Sequence, residues 1–245
     1  GHTVRALARP ISIDVKSYVT AATSPRVERE IARLRKQFEG RRILLGVDRL
    51  DYTKGILERL RALQLLFERR PSLVREVAFI QIAVPSRDDV KEYRDLREEV
   101  EAEVGRINGR FTEPGHDVPV HYLYRAVPFH RLLGYYCAAD VAVVTPLKDG
   151  MNLIAKEYIV CQSAAEGDGA LVLSRFAGAA SELEEAVICN PFDVEGLSNC
   201  IEEAIDMKKE ERSDRLRTMS SRIQRHDVFA WGDELLTDIE TSASL

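Results

Sequence analysis

Short, nearly continuous apolar runs along the chain alternate with longer stretches in which apolar positions recur every three or four residues. The short runs are Arg42–Val47 (RILLGV), Val77–Val84 (VAFIQIAV), Val120–Tyr124 (VHYLY), Val141–Pro146 (VAVVTP), Ala170–Ser174 (ALVLS) and Ala186–Asn190 (AVICN). Runs this short and this uniformly apolar predict strands covered on both faces. Between them, "GILERLRALQLLFERRP", "DDVKEYRDLREEVEAEVGRIN", "FHRLLGYYCAAD" and "MNLIAKEYIVCQ" read as helices. The first sets Ile56, Leu57, Leu60, Leu63, Leu66 and Phe67 on one face and meets Pro71 beyond its end. Alternation of this kind predicts an α/β fold: a doubly wound, Rossmann-like parallel sheet of about six strands with right-handed crossovers.

Beyond the last strand, "PFDVEGLSNCIEEAIDM" predicts a helix with Asp193 as N-cap. A further helical region is expected from about Glu210 to Ile239, ending in an apolar set of Phe229, Trp231, Leu235, Leu236 and Ile239. Those side chains either pack on the sheet of this chain or belong against another domain.

Composition narrows the function classes. The 245 residues are 45% hydrophobic and 31% charged, the balance of an ordinary core-forming protein. A net charge of −5 without a polybasic run argues against DNA or an acidic membrane as partner, while allowing a local basic pocket for a small anion. No apolar run approaches the length of a membrane span, and the opening "GHTVRALARP" lacks the apolar core of a signal peptide. Cys137, Cys161, Cys189 and Cys200 fall in apolar or helical contexts without a CxxC pair, so they read as reduced, buried small hydrophobes of a cytoplasmic protein. The five histidines are scattered, and no zinc site is expected. The chain opens without Met in what reads as interior sequence, so a longer protein with a domain upstream is expected.

In open parallel sheets, ligands bind at the C-terminal ends of strands near helix N-termini, which focuses attention on the loops there. "GVDRLDYTKGI" carries Arg49 and Lys54, with Gly55 opening the next helix. A guanidinium, an ammonium and a helix N-terminus can together neutralise a diphosphate. The bland alternative is a pair of solvated cations, balanced by Asp48 or Asp51. "TPLKDGMNLIAKEY" turns at Asp149–Gly150, and the backbone N–H groups of Gly150, Met151, Asn152 and Leu153 are expected to be free for a phosphate as the helix begins. Asp149 can accept from sugar hydroxyls. Glu157, read as about two helical turns on and on the same side, can accept both hydroxyls of a ribose. Here too there is a plain alternative, a common Asp-Gly turn followed by an ordinary surface glutamate.

Three other loops carry weaker signals. Arg87, in "VPSRDDVKEY", can meet a phosphorylated substrate or simply be solvated, and Asp88 there suits a helix cap. In "LSRFAGAASEL" the small residues Ala177 to Ala180 allow close backbone approach, and backbone at Ala126 and Val127 in "YRAVPF" can pair with a base edge. Absences also count. The chain has no Asp-x-Asp, Walker A, Gly-x-Gly-x-x-Gly after the first strand, or Gly-x-Ser-x-Gly.

Taken in order, "GVDRLDYTKGI", "SRDDVKEYRDLREEVEAEVGRIN", "VTPLKDGMNLIAKEYIV" and "LVLSRFAGAASEL" closely resemble the C-terminal half of the trehalose-6-phosphate synthases, retaining GT-B glycosyltransferases of family 20. The resemblance runs from "RPISID" to the Trp231 helix, and the seven residues between Asp149 and Glu157 match the acid-x7-Glu pattern of retaining GT-B enzymes. It implies one half of a GT-B fold: residues 1–15 an interdomain segment, 16–225 the donor-binding domain, and 226–245 a C-terminal helix directed toward an N-terminal domain.

The implied activity is transfer of glucose from UDP-glucose to glucose 6-phosphate, without a metal or other cofactor. Arg49 and Lys54 would bind the diphosphate and stabilise it as it leaves. Asp149 with the amides of Gly150, Met151 and Asn152 would hold the glucose, Asn152 and Leu153 amides would contact phosphate, and Glu157 would take the ribose. Backbone at Val127 would read the uracil, and Arg87 would reach the acceptor phosphate. Alternatives are the donor domain of another retaining GT-B enzyme, such as a glycogen-synthase relative, and a non-catalytic nucleotide-sugar-binding module. By itself the chain would bind donor without turnover, and a homo-oligomer is compatible with the full-length enzyme.

Overall fold

The computed structural model describes residues 6–87 and 89–243. Its centre is a six-stranded parallel sheet in the order β3-β2-β1-β4-β5-β6. The strands are β1 (Arg42–Arg49), β2 (Val77–Val84), β3 (Val120–Tyr124), β4 (Val141–Val144), β5 (Ala170–Ser174) and β6 (Val187–Cys189). All six sequence-predicted strands are present, each within a few residues of its expected ends. From β1 the next two strands are added on one side and β4 to β6 on the other, so the strand order reverses between β1 and β4, where Leu44 pairs with Val141 and Leu45 with Ala142. That reversal is the topological switch point at which such sheets open a crevice.

Two helical layers explain the uniformly apolar strands. One face of the sheet, with Ile43, Leu45, Ile80, Ile82, Val144 and Leu173, is covered by α1 (Val15–Ala22), α2 (Pro25–Gln37), α6 (Phe129–Ala138), α7 (Leu153–Ala164) and α9 (Lys209–Arg225). The other, with Leu44, Phe79, Val141, Val143 and Val172, is covered by α3 (Ile56–Arg69), α5 (Lys91–Phe111) and α8 (Val194–Asp206). A short α4 (Leu73–Glu76) leads into β2. The expected stripe of α3 is buried apart from Leu57, which is half-buried. Asp193 caps α8, accepting from the Gly196 N–H at 2.9 Å. The capping role expected of Asp88 lies outside the described residues.

Two features depart from the expectations, and the placement of the C-terminal helix adds a third observation. Helices α1 and α2 have no counterpart among the predicted elements. The expected helix over 210–239 is two helices, α9 and α10 (Val228–Ala243), because Asp227 accepts from the N–H groups of Phe229 and Ala230, both at 3.0 Å, and starts a new N-terminus. The α10 helix is also tied to the N-terminal segment. The Trp231 indole N–H donates to Arg9 O at 3.1 Å, the Val228 N–H to Ile13 O at 3.0 Å, and Arg9 pairs with Glu234 and Asp238. Phe229, Leu236 and Ile239 remain exposed.

Cys137, Cys161 and Cys189 are buried and Cys200 half-buried, all unbridged. The neighbouring Cys137 thiol and burial push the Cys161 thiol up, and burial pushes Cys189 up to about 12, so neither is a ready nucleophile. No helix among the described residues is long and apolar enough to cross a membrane.

Candidate donor site at the switch point

The loop after β1 is built to present Lys54. Asp51 accepts from the Thr53 N–H at 2.8 Å and the Thr53 hydroxyl at 2.7 Å, capping a single 3-10 turn over Tyr52–Lys54. Burial would raise the Asp51 carboxyl, but hydrogen bonds from Thr53 and Tyr93 and the Lys54 charge outweigh it and hold the carboxyl below its usual range. Gly55 follows at φ +65°, and a Cβ there would lie 2.3 Å from Thr145 O. Only glycine lets this loop press onto the end of β4. Across the junction, Thr53 O accepts from the N–H groups of Leu147 (2.8 Å) and Lys148 (3.3 Å).

The loop after β4 meets it. Lys54 Nζ donates to Asp149 Oδ2 at 2.6 Å, and both side chains are about 15% exposed. Asp149 Oδ2 also accepts from Asn152 Nδ2 at 3.2 Å, and its Oδ1 from the Met151 N–H at 3.3 Å. Asn152 is left-handed, φ +65°, and its Oδ1 accepts from the Ala155 N–H at 3.2 Å, so its side chain caps α7. Asparagine is among the few residues that tolerate this conformation.

The loop after β5 lies directly underneath. Gly178 N–H donates to Asp149 O at 2.9 Å and Ala179 N–H to Met151 O at 2.8 Å. A Cβ on Gly178 would stand 2.1 Å from Gly150 O, which accounts for the small residues in "RFAGAA".

Two local expectations need correction. The amides of Gly150 to Leu153 are not a uniform row of free donors, because Met151 is bonded to the Asp149 carboxylate. The amides of Gly150, Asn152 and Leu153 have no hydrogen-bond partner among the described residues. Glu157 is not two helical turns beyond Asp149. Residues 149–152 form the turn and cap, α7 begins at Leu153, and Glu157 lies about one turn into it.

The remaining predicted residues are distributed around this junction. Arg49 is exposed at the C-terminal end of β1 and, among the described residues, makes no ion pair and no hydrogen bond to the 150–153 bend. Arg87 adopts φ +51°, and its Nη1 donates to the Tyr93 hydroxyl at 3.1 Å. That hydroxyl donates to Asp51 Oδ2 at 3.1 Å, linking Arg87 to the Lys54 loop. Val127 lies between β3 and α6, half-buried against the core. Glu157 accepts from the Tyr136 hydroxyl at 2.8 Å.

Sequence reasoning missed a buried polar cluster beneath the junction. Arg59, fully buried, donates through Nη1 to Asp48 Oδ2 and Gln81 Oε1, both at 2.7 Å, and through Nε to Thr145 Oγ1 at 3.0 Å. Its Nη2 reaches Lys54 O at 3.4 Å. One guanidinium therefore ties α3 to the end of β1, the middle of β2 and the residue that follows β4. Two signals were readable: a charge inside an otherwise apolar helical stripe, and a lone glutamine in "VAFIQIAV". Lys156 was also unforeseen; it is buried, paired with Glu182 at 2.7 Å and donating to Ile11 O at 2.9 Å.

A doubly wound six-stranded parallel sheet, with a cation and a helix N-terminus converging at its switch point, is an α/β domain of the kind that forms one half of a GT-B fold. The model for glycosyltransferase family 20 matches residues 1–241, and the chain belongs to that family. Trehalose-6-phosphate synthase of Mycobacterium leprae is 46% identical over 236 residues, covering 96% of this chain and 47% of that protein. The chain thus spans about half the length of the curated relatives it matches. Among solved structures, an α,α-trehalose-phosphate synthase (UDP-forming) from Burkholderia xenovorans in complex with glucose-6-phosphate superposes with a TM-score of 0.90 at 39% identity, over 97% of this chain and 52% of that one. An E. coli structure bound with UDP-2-fluoro glucose gives a TM-score of 0.90 at 38% identity, over 96% and 51%.

Proposed function

We propose that this chain is the donor-binding half of a retaining glucosyltransferase that moves glucose from UDP-glucose to glucose 6-phosphate, yielding trehalose 6-phosphate and UDP. The observation that carries the reading is the Lys54–Asp149 contact of 2.6 Å at the switch point. It brings a phosphate-binding cation and a sugar-binding carboxylate together beside the unbonded amides that open α7. Family membership and the ligands named for the solved relatives support the same reading.

In this reading Arg49, Lys54 and the amides of Asn152 and Leu153 bind the diphosphate. Asp149 and the amides of Gly150, Asn152 and Met151, the last on release from the Asp149 carboxylate, take the glucose, Glu157 the ribose, Val127 backbone the base, and Arg87 the acceptor phosphate. During transfer the bond from glucose C1 to the diphosphate oxygen breaks, and its electron pair stays on phosphate. The acceptor hydroxyl oxygen bonds C1 from the same face and passes its proton to the departing phosphate oxygen. Charge builds on that phosphate, where two cations and a helix N-terminus stabilise it electrostatically without recourse to a metal. No protein nucleophile is required for retention. The acceptor half of the cleft belongs to an N-terminal domain, so the chain alone binds donor without turnover.

Calorimetry with UDP and UDP-glucose tests this: binding of both by the full chain is expected. A folded sample that binds neither at millimolar concentration would overturn it. In the intact enzyme, transfer to glucose 6-phosphate but not glucose is expected, whereas a preference for unphosphorylated glucose would point to the glycogen-synthase-like alternative.

A further inference from the structure

Glu157 accepts a hydrogen bond from an aromatic hydroxyl of another helix, and a second tyrosine lies beside it. Tyr136, on α6, is 1% exposed, and its hydroxyl donates to Glu157 Oε2 at 2.8 Å. Tyr18, on α1, is half-buried and turns its hydroxyl toward the same carboxylate. A core position gains nothing from a phenol over a phenyl ring unless the hydroxyl finds a partner, and here the partner is a side chain of α7.

We infer that Tyr136, with Tyr18 beside it, is a positioning residue that fixes the Glu157 side chain to accept the ribose hydroxyls of a uridine nucleotide. The inference rests on the donor reading above. A glutamate left to itself samples several rotamers, and a ligand that uses it must first order it. A buried donor that orders it beforehand removes that cost. A carboxylate offers about four acceptor sites, so the Tyr136 hydroxyl occupies one and leaves enough for the vicinal hydroxyls of a ribose. Burial and the Glu157 charge raise both tyrosine hydroxyls well above their ordinary range, so they stay protonated and continue to donate.

The test compares UDP with 2′-deoxy-UDP by calorimetry on the full chain, for the wild type, Tyr136→Phe and Tyr18→Phe. The wild type is expected to bind UDP about tenfold tighter than the deoxy nucleotide, the order expected for one hydrogen bond to a charged acceptor. In Tyr136→Phe the preference is expected to fall below about threefold, with 2′-deoxy-UDP affinity within about twofold of wild type, and Tyr18→Phe should shift the ratio in the same direction by less. A role in packing alone would weaken both nucleotides equally and leave the ratio unchanged, which overturns the inference. If Tyr136→Phe does not fold, Tyr18→Phe carries the same readout, and an unchanged ratio there overturns it too. A wild type that binds both nucleotides equally removes Glu157 from the ribose and takes the inference with it. A wild type that binds neither fails the donor reading itself.

Discussion

Two polar clusters sit a few residues apart at the end of β1 and are built on opposite terms. In the buried one, Arg59 spends its donors on Asp48, Gln81, Thr145 and the Lys54 carbonyl, and Gln81 Nε2 returns a bond to Asp48 at 3.1 Å. In the rim cluster, Lys54, Asp149 and Asn152 bond one another but remain partly exposed, and three neighbouring amides are left over. A satisfied cluster has no capacity for a ligand, whereas an under-satisfied one at a helix N-terminus does. The first ties α3 to β1, β2 and the loop after β4, and the second is the cluster to which the proposed donor chemistry is assigned.

The largest effect expected from breaking this division is on stability, from the buried side. Arg59→Ala leaves Asp48 buried at 2% exposure without its cation. Removing one partner of a buried pair typically costs about 3–5 kcal/mol. Denaturant unfolding should show a loss of that order, and Lys54→Ala should not. If Arg59→Ala unfolds at nearly the wild-type midpoint, the cluster is not the clamp described here.

The next effect falls on rate rather than stability. In the proposed reading, Lys54→Ala in the intact enzyme removes one stabiliser of the leaving diphosphate, and losing a donor of this kind typically lowers kcat by about 10²–10³. Its thermal midpoint should stay close to wild type, because Asp149 keeps Asn152 and the Met151 amide as partners. A variant with normal kcat and a lowered midpoint would exchange the roles of the two clusters.

How much of this was legible in the sequence follows the same division. The central strands β2, β1, β4 and β5 could be read because both their faces are largely buried, which removes polar alternation. The edge strands β3 and β6 are only partly covered and were legible from their apolar and aromatic content. Helix α2 was missed because it is dominated by charge: only Val27 and Leu34 are fully buried in thirteen residues, although Ser24–Pro25 is a conventional helix start. Helix α1, capped by Asp14, is only eight residues long. Without it Tyr18 could not be connected to Glu157, sequence neighbours of neither residue pointing to the other. The Lys54–Asp149 junction was readable as two loops because strand ends in an open sheet converge. The Arg59 cluster was not, since its partners at 48, 81 and 145 come together only when the strand order is known.

Between the clusters stands Gly55, and substituting it probes their coupling. Gly55→Ala places a Cβ 2.3 Å from Thr145 O at a left-handed position. Holding such a conformation costs about 1–3 kcal/mol. The loop is expected to lift from β4, moving Lys54 away from Asp149 and loosening the Lys54 carbonyl from Arg59. A lower midpoint in the chain and a lower kcat in the intact enzyme should appear together. A loss confined to stability would mean that Lys54 keeps its position without the close approach to β4.

The smallest effect is a dependence on pH. The folded Asp51 carboxyl titrates below its ordinary range, held there by Thr53 and Tyr93 against the opposing effect of burial. A carboxyl depressed on folding contributes stability that is fully present above its unfolded value, about 3.9, and is lost as the pH falls through the folded value. Acid should therefore loosen the 3-10 turn that carries Lys54, while the Arg59 cluster shares no group with Asp51. Asp51→Asn removes the titrating group, so its midpoint should fall less steeply than wild type below about pH 4, while at neutral pH it sits slightly lower for want of the charge-assisted bonds to Thr53. Parallel midpoint-against-pH curves for the two proteins would show that Asp51 takes no part in the acid response, and that the Lys54 turn depends on its backbone contacts with β4 instead.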